Sequence, residues 1–131
     1  MVLRLHPELA PIKVAVLPLL KKREEIVRAG HSLRHELARS WLVAYDDTAA
    51  IGRLYRRQDE VGTPYCLTVD VKTVGDPGKG EAGDEQVTIR DRDSMEQIRV
   101  PIAAVKDVMT ELLSGAAWGS VSARYGAKPT E

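Results

Sequence analysis

Ile12-Lys13-Val14-Ala15-Val16-Leu17, closed by Pro18, is the stretch that decides the fold. Its β-branched residues and its stop at a proline read as a buried strand. Arg23 to Ser40 follows, with apolar residues at Ile26, Leu33, Leu37 and Trp41. Steps of three to four put one apolar stripe on a helix. Gly30 falls on that stripe, where it lowers helix propensity and permits close packing. Trp41-Leu42-Val43-Ala44-Tyr45 is a second strand, stopped by Asp46-Asp47-Thr48. A strand, a helix and a second strand make a right-handed crossover with the two strands parallel.

The pattern continues outward. Ala50 to Val61 reads as a short polar helix, with Asp47 or Thr48 as its cap and Gly62-Thr63-Pro64 as its end. Tyr65 to Val71 is a third strand. Gly75 to Asp84 is a loop by composition, rich in glycine and nearly free of apolar residues. Gln86 to Arg90 and Gln97 to Ile102 alternate as fourth and fifth strands around a turn at Asp91 to Met95, and Pro101 places the fifth near an edge. Ala103 to Leu113 is an amphipathic helix. Trp118, Val121 and Tyr125 recur at helical spacing in the last stretch, which is expected to fray from Gly126. The order is that of a three-layer α/β domain: a mixed five-stranded sheet, helices on both faces, the first three strands parallel and the fourth antiparallel. Residues 1–113 form the domain and residues 114–131 a C-terminal extension.

Composition narrows the function. The chain has 131 residues, 44% hydrophobic and 29% charged, a globular balance. Nineteen Lys and Arg against nineteen Asp and Glu give zero formal charge. That excludes a binder that holds nucleic acid by bulk phosphate neutralisation, and leaves a base reader whose charge is local. A single cysteine, Cys66, forms no intrachain disulfide. The apolar run Val14 to Leu20 is too short to span a bilayer, and Met1 to Pro7 lacks the form of a signal peptide. The expectation is a cytoplasmic, soluble domain.

The densest polar segment is Ile51 to Glu60. On a helix, Arg53, Arg56 and Arg57 share a face and Tyr55 points elsewhere. Such a guanidinium row holds phosphates and bases, or else is a solvated face paired with Asp59 and Glu60. Its position favours a ligand: the segment after the second strand (Asp46, Asp47, Thr48), the start of this helix and Pro18 to Lys22 all lie at the carboxyl ends of the parallel strands. Arg90-Asp91-Arg92-Asp93 reads as a self-paired turn at the opposite end of the sheet. His31 and His35, with Glu36 beside them, lack a third ligand and read as solvent-facing, so no metal site is assigned. Cys66 reads as packing. No phosphate loop, nucleophile elbow, zinc motif or catalytic carboxylate pair is present, and the chain reads as non-catalytic.

Leu9 to Leu19, Tyr45-Asp46-Asp47, Ile51 to Tyr65, Thr68-Val69-Asp70 and Val87 to Arg99 together resemble the C-terminal anticodon-binding domain of the dimeric, class II glycyl-tRNA synthetases. The resemblance covers residues 3 to about 113, and its segments Tyr55 to Pro64 and Ile89 to Gln97 are long and specific. Trp118, Val121, Arg124 and Tyr125 resemble a C-terminal extension of some members. The family fold has strand order 2-1-3-4-5 with strand 4 antiparallel. The resemblance implies a domain that grips the tRNA(Gly) anticodon and positions the tRNA for glycylation. ATP and Mg are implied only for a separate catalytic domain, and no cofactor is implied here. The isolated domain is expected to be monomeric.

The residues implied in tRNA binding are Arg53, Arg56, Arg57, Gln58, Glu60, Asp46, Asp47 and Thr48. The arginines are the donors and Asp46, Asp47 or Glu60 the acceptor, with Arg57 the first choice as base reader. Leu54 stands where the family often has arginine, which thins the expected basic row. An alternative of another class is a stand-alone nucleic-acid-binding or processivity module, like the related domain of the mitochondrial DNA polymerase accessory subunit. A third is a protein-interaction domain of the same fold.

Overall fold

The computed structural model describes residues 6–129 apart from 8, 21 and 127. Expectations that rest on Met1 to Leu5, Lys21 and Glu131 lie outside the described residues. The expected crossover is present: β1 (Val14–Pro18), α1 (Glu24–Leu37) and β2 (Val43–Tyr45), with β1 and β2 parallel in the register Val14–Val43. α1 buries Ile26, Gly30, Leu33 and Leu37. A Cβ at Gly30 would stand 3.2 Å from Tyr45 Cε2, so the missing side chain is what lets the helix lie this close to β2. Glu24 and Glu25 in the first turn and Arg34 and His35 in the last complement the helix dipole.

α2 (Ile51–Val61) and β3 (Tyr65–Val69) follow, with β3 parallel to β1. Ala50 takes the N-cap position, with no side-chain cap bond. Asp47 and Thr48 therefore do not cap α2; Thr48 is engaged in a turn with Asp46 instead. The helix ends on Gly62, whose φ of 82° is the left-handed stop that glycine adopts without strain.

The third strand was expected to run to Val71 but stops at Val69. Asp70 and Thr73 form a reciprocal capping box, each side chain bonded to the other's backbone N–H at 3.1 Å. That box starts a one-turn helix, α3 (Val71–Val74). The glycine-rich loop is likewise more ordered than its composition suggests. It contains a short hairpin of β4 (Gly75–Asp76) and β5 (Glu81–Ala82) around a 3-10 turn. At Gly83 a Cβ would fall 2.3 Å from the Thr73 carbonyl oxygen, which explains glycine at this close approach.

β6 (Gln86–Asp91) and β7 (Glu96–Pro101) complete the expected five strands, in the spatial order β2-β1-β3-β6-β7 with β6 antiparallel to both neighbours. α4 (Ile102–Leu113) and α5 (Trp118–Ser122) follow. The tail does not simply fray from Gly126. β8 (Lys128–Pro129) pairs antiparallel with Glu96 and Gln97, satisfying an edge of β7 that would otherwise present open backbone groups, so the sheet has a sixth strand.

Alternation on the strands sorts the two faces. Val14, Val16, Leu67, Val69, Ile89 and Val100 point to the side covered by α1, α4 and α5. Ala15, Leu17 and Cys66 point to the other, where Leu54 of α2 meets them in a small separate cluster. α2 covers the β2-β1-β3 half of that face and reaches β6 only at Arg90, which Asp59 and Tyr55 cover. Beyond it the strands present Thr88, Gln97 and Arg99. No helix among the described residues is long and apolar enough to cross a membrane.

Leu54 is fully buried, so it lies on the packing side of α2 and leaves the basic face intact. With so few apolar partners on this face, Leu54→Ala should cost about 2–5 kcal/mol, measured as a shift in the urea unfolding midpoint of the chain.

Candidate nucleic-acid interface

At the carboxyl end of β2 the chain turns through Asp46 and Thr48. Asp46 Oδ1 accepts from the Thr48 amide at 3.0 Å and from its hydroxyl at 2.7 Å. Asp46 Oδ2 accepts from Arg57 Nη1 at 3.0 Å, and the same Nη1 donates to Thr48 Oγ1. Burial works against the Asp46 charge, but the Thr48 hydrogen bonds and the Arg57 guanidinium outweigh it and hold the carboxyl below its usual value. Arg57 is thereby held through one nitrogen on a side chain that is 41% exposed. Asp46 Oδ1 thus takes two hydrogen bonds and Oδ2 one, so this carboxylate also positions the arginine.

The other expected residues divide. Arg53, Arg56 and Glu60 are exposed, and among the described residues none of the three side chains has a hydrogen-bond or ion-pair partner. Asp47 is half-buried beside Tyr45, whose phenol is pushed up by burial and then by the Asp47 charge. Gln58 is buried and accepts from Thr63 Oγ1 at 2.7 Å, so it locks the helix end and does not face the arginine row. Asp59 does not neutralise that row either. It turns inward to Arg90, with Nη1–Oδ1 at 3.0 Å and Nη2–Oδ2 at 3.2 Å. The Arg90 guanidinium lies 4.7 Å from the centre of the Tyr55 ring, and the Tyr55 hydroxyl meets Thr68 Oγ1 at 2.6 Å.

The far turn is partly self-paired as expected: Arg92 binds Asp93, and Ser94 donates to Asp91. Arg92 Nη1 also donates to the Gly62 carbonyl at 2.8 Å, clamping the C-terminus of α2. His31 and His35 are exposed, and the His31 ring stacks on Tyr45 at 4.1 Å. Among the described residues no group of three His, Cys, Asp or Glu is placed to hold a metal ion. Burial pushes the Cys66 thiol up to about 12, so it packs as a neutral group.

A cleft of about 660 Å³ opens beside the same end of the sheet, and the sequence reading missed it. Its centre is Arg99, which donates to Asp70 at 3.0 and 3.2 Å, to Asp84 at 3.0 and 3.1 Å, and to Thr88 Oγ1 at 3.3 Å. Arg99, more than any other group, holds the Asp84 carboxyl below its usual value. Lys72 and Gln97 also line the cleft. The signal was available: Gln97 and Arg99 alternate with the buried Ile98 and Val100, and polar residues at every second position of a strand mark an uncovered face. Arg99 is spent on orienting these two carboxylates, so what the cleft wall holds for a base edge is carboxylate and amide, with an exposed Lys72 ammonium of the kind that meets phosphate.

Two measurements check this geometry. Asp46, with its folded value lowered, stabilises the fold at every pH above its unfolded value near ~3.9, and that contribution fades as pH falls through the lower folded value. A carboxyl-carbon NMR titration should place the Asp46 midpoint below ~3.9, and Arg57→Ala should raise it. Asp59→Ala strands a buried guanidinium and should cost about 3–5 kcal/mol in urea unfolding, whereas apolar replacement of both Asp59 and Arg90 should recover much of the loss.

A family model described as "Anticodon binding domain" matches residues 13–112. The glycine–tRNA ligase of Geobacillus kaustophilus (strain HTA426) is 46% identical over 113 residues, which is 86% of this chain and 22% of that protein. Those of Corynebacterium efficiens and Clostridium acetobutylicum are 49% and 48% identical over 87% and 84% of this chain, and 23% and 21% of theirs. The chain thus spans under a quarter of the length of these curated relatives. The crystal structure of the RNA-binding domain of threonyl-tRNA synthetase from Cryptosporidium parvum Iowa II superposes with a TM-score of 0.62 at 22% identity, over 77% of this chain and 23% of that one, a likeness of fold. With the sheet order, the polar open face and the matched span in agreement, this chain belongs to the anticodon-binding domain family.

Proposed function

We propose that the chain is the anticodon-reading domain of a cytoplasmic glycine–tRNA ligase, holding tRNA(Gly) so that a separate catalytic domain can glycylate it. The observation that carries this is its 46–50% identity to glycine–tRNA ligases across 80–87% of its length. The geometry supplies the reading chemistry. Glycine anticodons carry cytosine at the second and third positions, as the genetic code requires. A cytosine Watson–Crick edge offers one amino donor and two acceptors, so its reader needs both a donor and a carboxylate or carbonyl acceptor. Arg57, steadied by Asp46 and Thr48, presents the donor with little ordering left to do. Arg53 and Arg56 serve the neighbouring phosphates, and Asp46, Asp47 or Glu60 is the acceptor. ATP chemistry belongs to the catalytic domain, and the 131-residue chain alone is a monomer that forms no glycyl-adenylate.

Titration calorimetry of anticodon stem-loop RNAs tests the reading. The chain should bind the native loop more tightly than its C-to-U variants, and more tightly than duplex DNA. Arg57→Ala should cost about 1–3 kcal/mol on the native loop and less once the cytosines are already changed. Arg28→Ala, on the exposed side of α1 where it pairs with Glu24, should leave the choice between loops unaltered. An equal loss on every loop would reduce Arg57 to a phosphate contact, and a preference for duplex DNA would favour the polymerase-accessory alternative.

A further inference from the structure

The matched family span ends at residue 112, yet the segment beyond it is built into the fold. Trp118 Nε1 donates to Glu96 Oε1 at 2.9 Å, and its ring stacks on Tyr65 at 6.2 Å. Val121 and Ser122 are buried. Arg124 bonds Glu111 of α4 at 2.6 Å. These contacts carry the chain across to the edge of β7, where Tyr125 and Gly126 line the cleft around Arg99. Leu19, which follows β1, lines the same cleft. The Tyr125 ring is half-buried and has the Arg124 guanidinium 5.9 Å from its centre.

An aromatic ring with a guanidinium beside it, at the rim of a cleft lined with donors and acceptors, suits one ligand chemistry. Unpaired nucleobases present a flat π face to stack and a polar edge to hydrogen-bond, and their backbone carries phosphate. Lys72, Thr88 and Gln97 line that cleft, an ammonium of the kind that meets a phosphate and a hydroxyl and an amide of the kind that meet a base edge.

We infer that the C-terminal segment is a working part of the binding site: Tyr125 is a stacking platform for an unpaired RNA base seated in the cleft, and Trp118 is a positioning residue that latches the segment in place. This rests on the RNA-reading function above and adds a residue outside the family span to it.

The full 131-residue chain is titrated with anticodon stem-loops carrying 2-aminopurine at each unpaired position in turn. One position should be quenched on binding. Tyr125→Ala should abolish that quenching and weaken affinity about tenfold, the loss of one stacked base. Tyr125→Phe, which keeps the ring, should retain both. Trp118→Phe, which keeps the packing and removes the bond to Glu96, should weaken the quenching at that same position. If Tyr125→Ala binds and quenches like the parent chain while Arg57→Ala still loses affinity, the inference is wrong and the RNA-reading function stands. If the parent chain binds neither the stem-loops nor an unstructured single-stranded RNA, both fall.

Discussion

Asp59 and Arg90 meet where neither has water, and each needs the other. A buried guanidinium or carboxylate left alone costs several kcal/mol, so the two elements that carry them, α2 and β6, hold one mutual position. Apolar packing on this face is slight: of the α2 side chains in its small cluster Leu54 is buried, and Ile51 and Tyr55 pack against it half-buried. The ion pair, the Tyr55–Thr68 hydrogen bond and the Arg92 clamp on Gly62 supply the rest of the registration. On the opposite face α1 and α4 cover a continuous apolar core. Polar side chains do the docking on the side where a polar ligand is to be read.

That choice of α2 position leaves half of one sheet face uncovered. A helix lying across β6 and β7 would bury Thr88, Gln97 and Arg99. A helix that reaches no further than Arg90 of β6 leaves them uncovered and brings its own first turns to the same end of the sheet. The neutral overall charge fits this arrangement. Carboxylates here steady guanidinium groups in defined orientations, as Asp46 does for Arg57 and Asp70 and Asp84 do for Arg99. Electrostatics then acts through geometry and not through a diffuse positive field.

The sequence was most legible where one physical signal acted alone. The strand at Val14, the stripe Ile26-Leu33-Leu37 and the alternation Val87-Ile89 each follow from apolar periodicity, and their structures match. It was less legible where side chains competed with periodicity. Asp70 looked like a strand residue because Thr68 and Val69 precede it, but its carboxylate captured the Thr73 amide and began a helix. Thr48 looked like a cap and was drawn into the Asp46 turn. Gly75 to Asp84 looked unstructured because composition carries no record of a hairpin seated against the Thr73 carbonyl.

The sequence by itself determined the strand and helix order, the parallel crossover, the antiparallel fourth strand and the row Arg53-Arg56-Arg57, because these depend on spacing along the chain. Only the tertiary structure decided which charges are spent and which are free. Asp59 was an apparent partner for its neighbours on the helix until Arg90, 31 residues away, took it. Arg99 was one residue of an alternating strand until Asp70 and Asp84 converged on it from separate connections. Tyr125 belonged to a tail until the latch at Trp118 brought it to the cleft. Pairing of charges and closure of a cleft depend on distance in space, and the order of residues does not encode that distance locally.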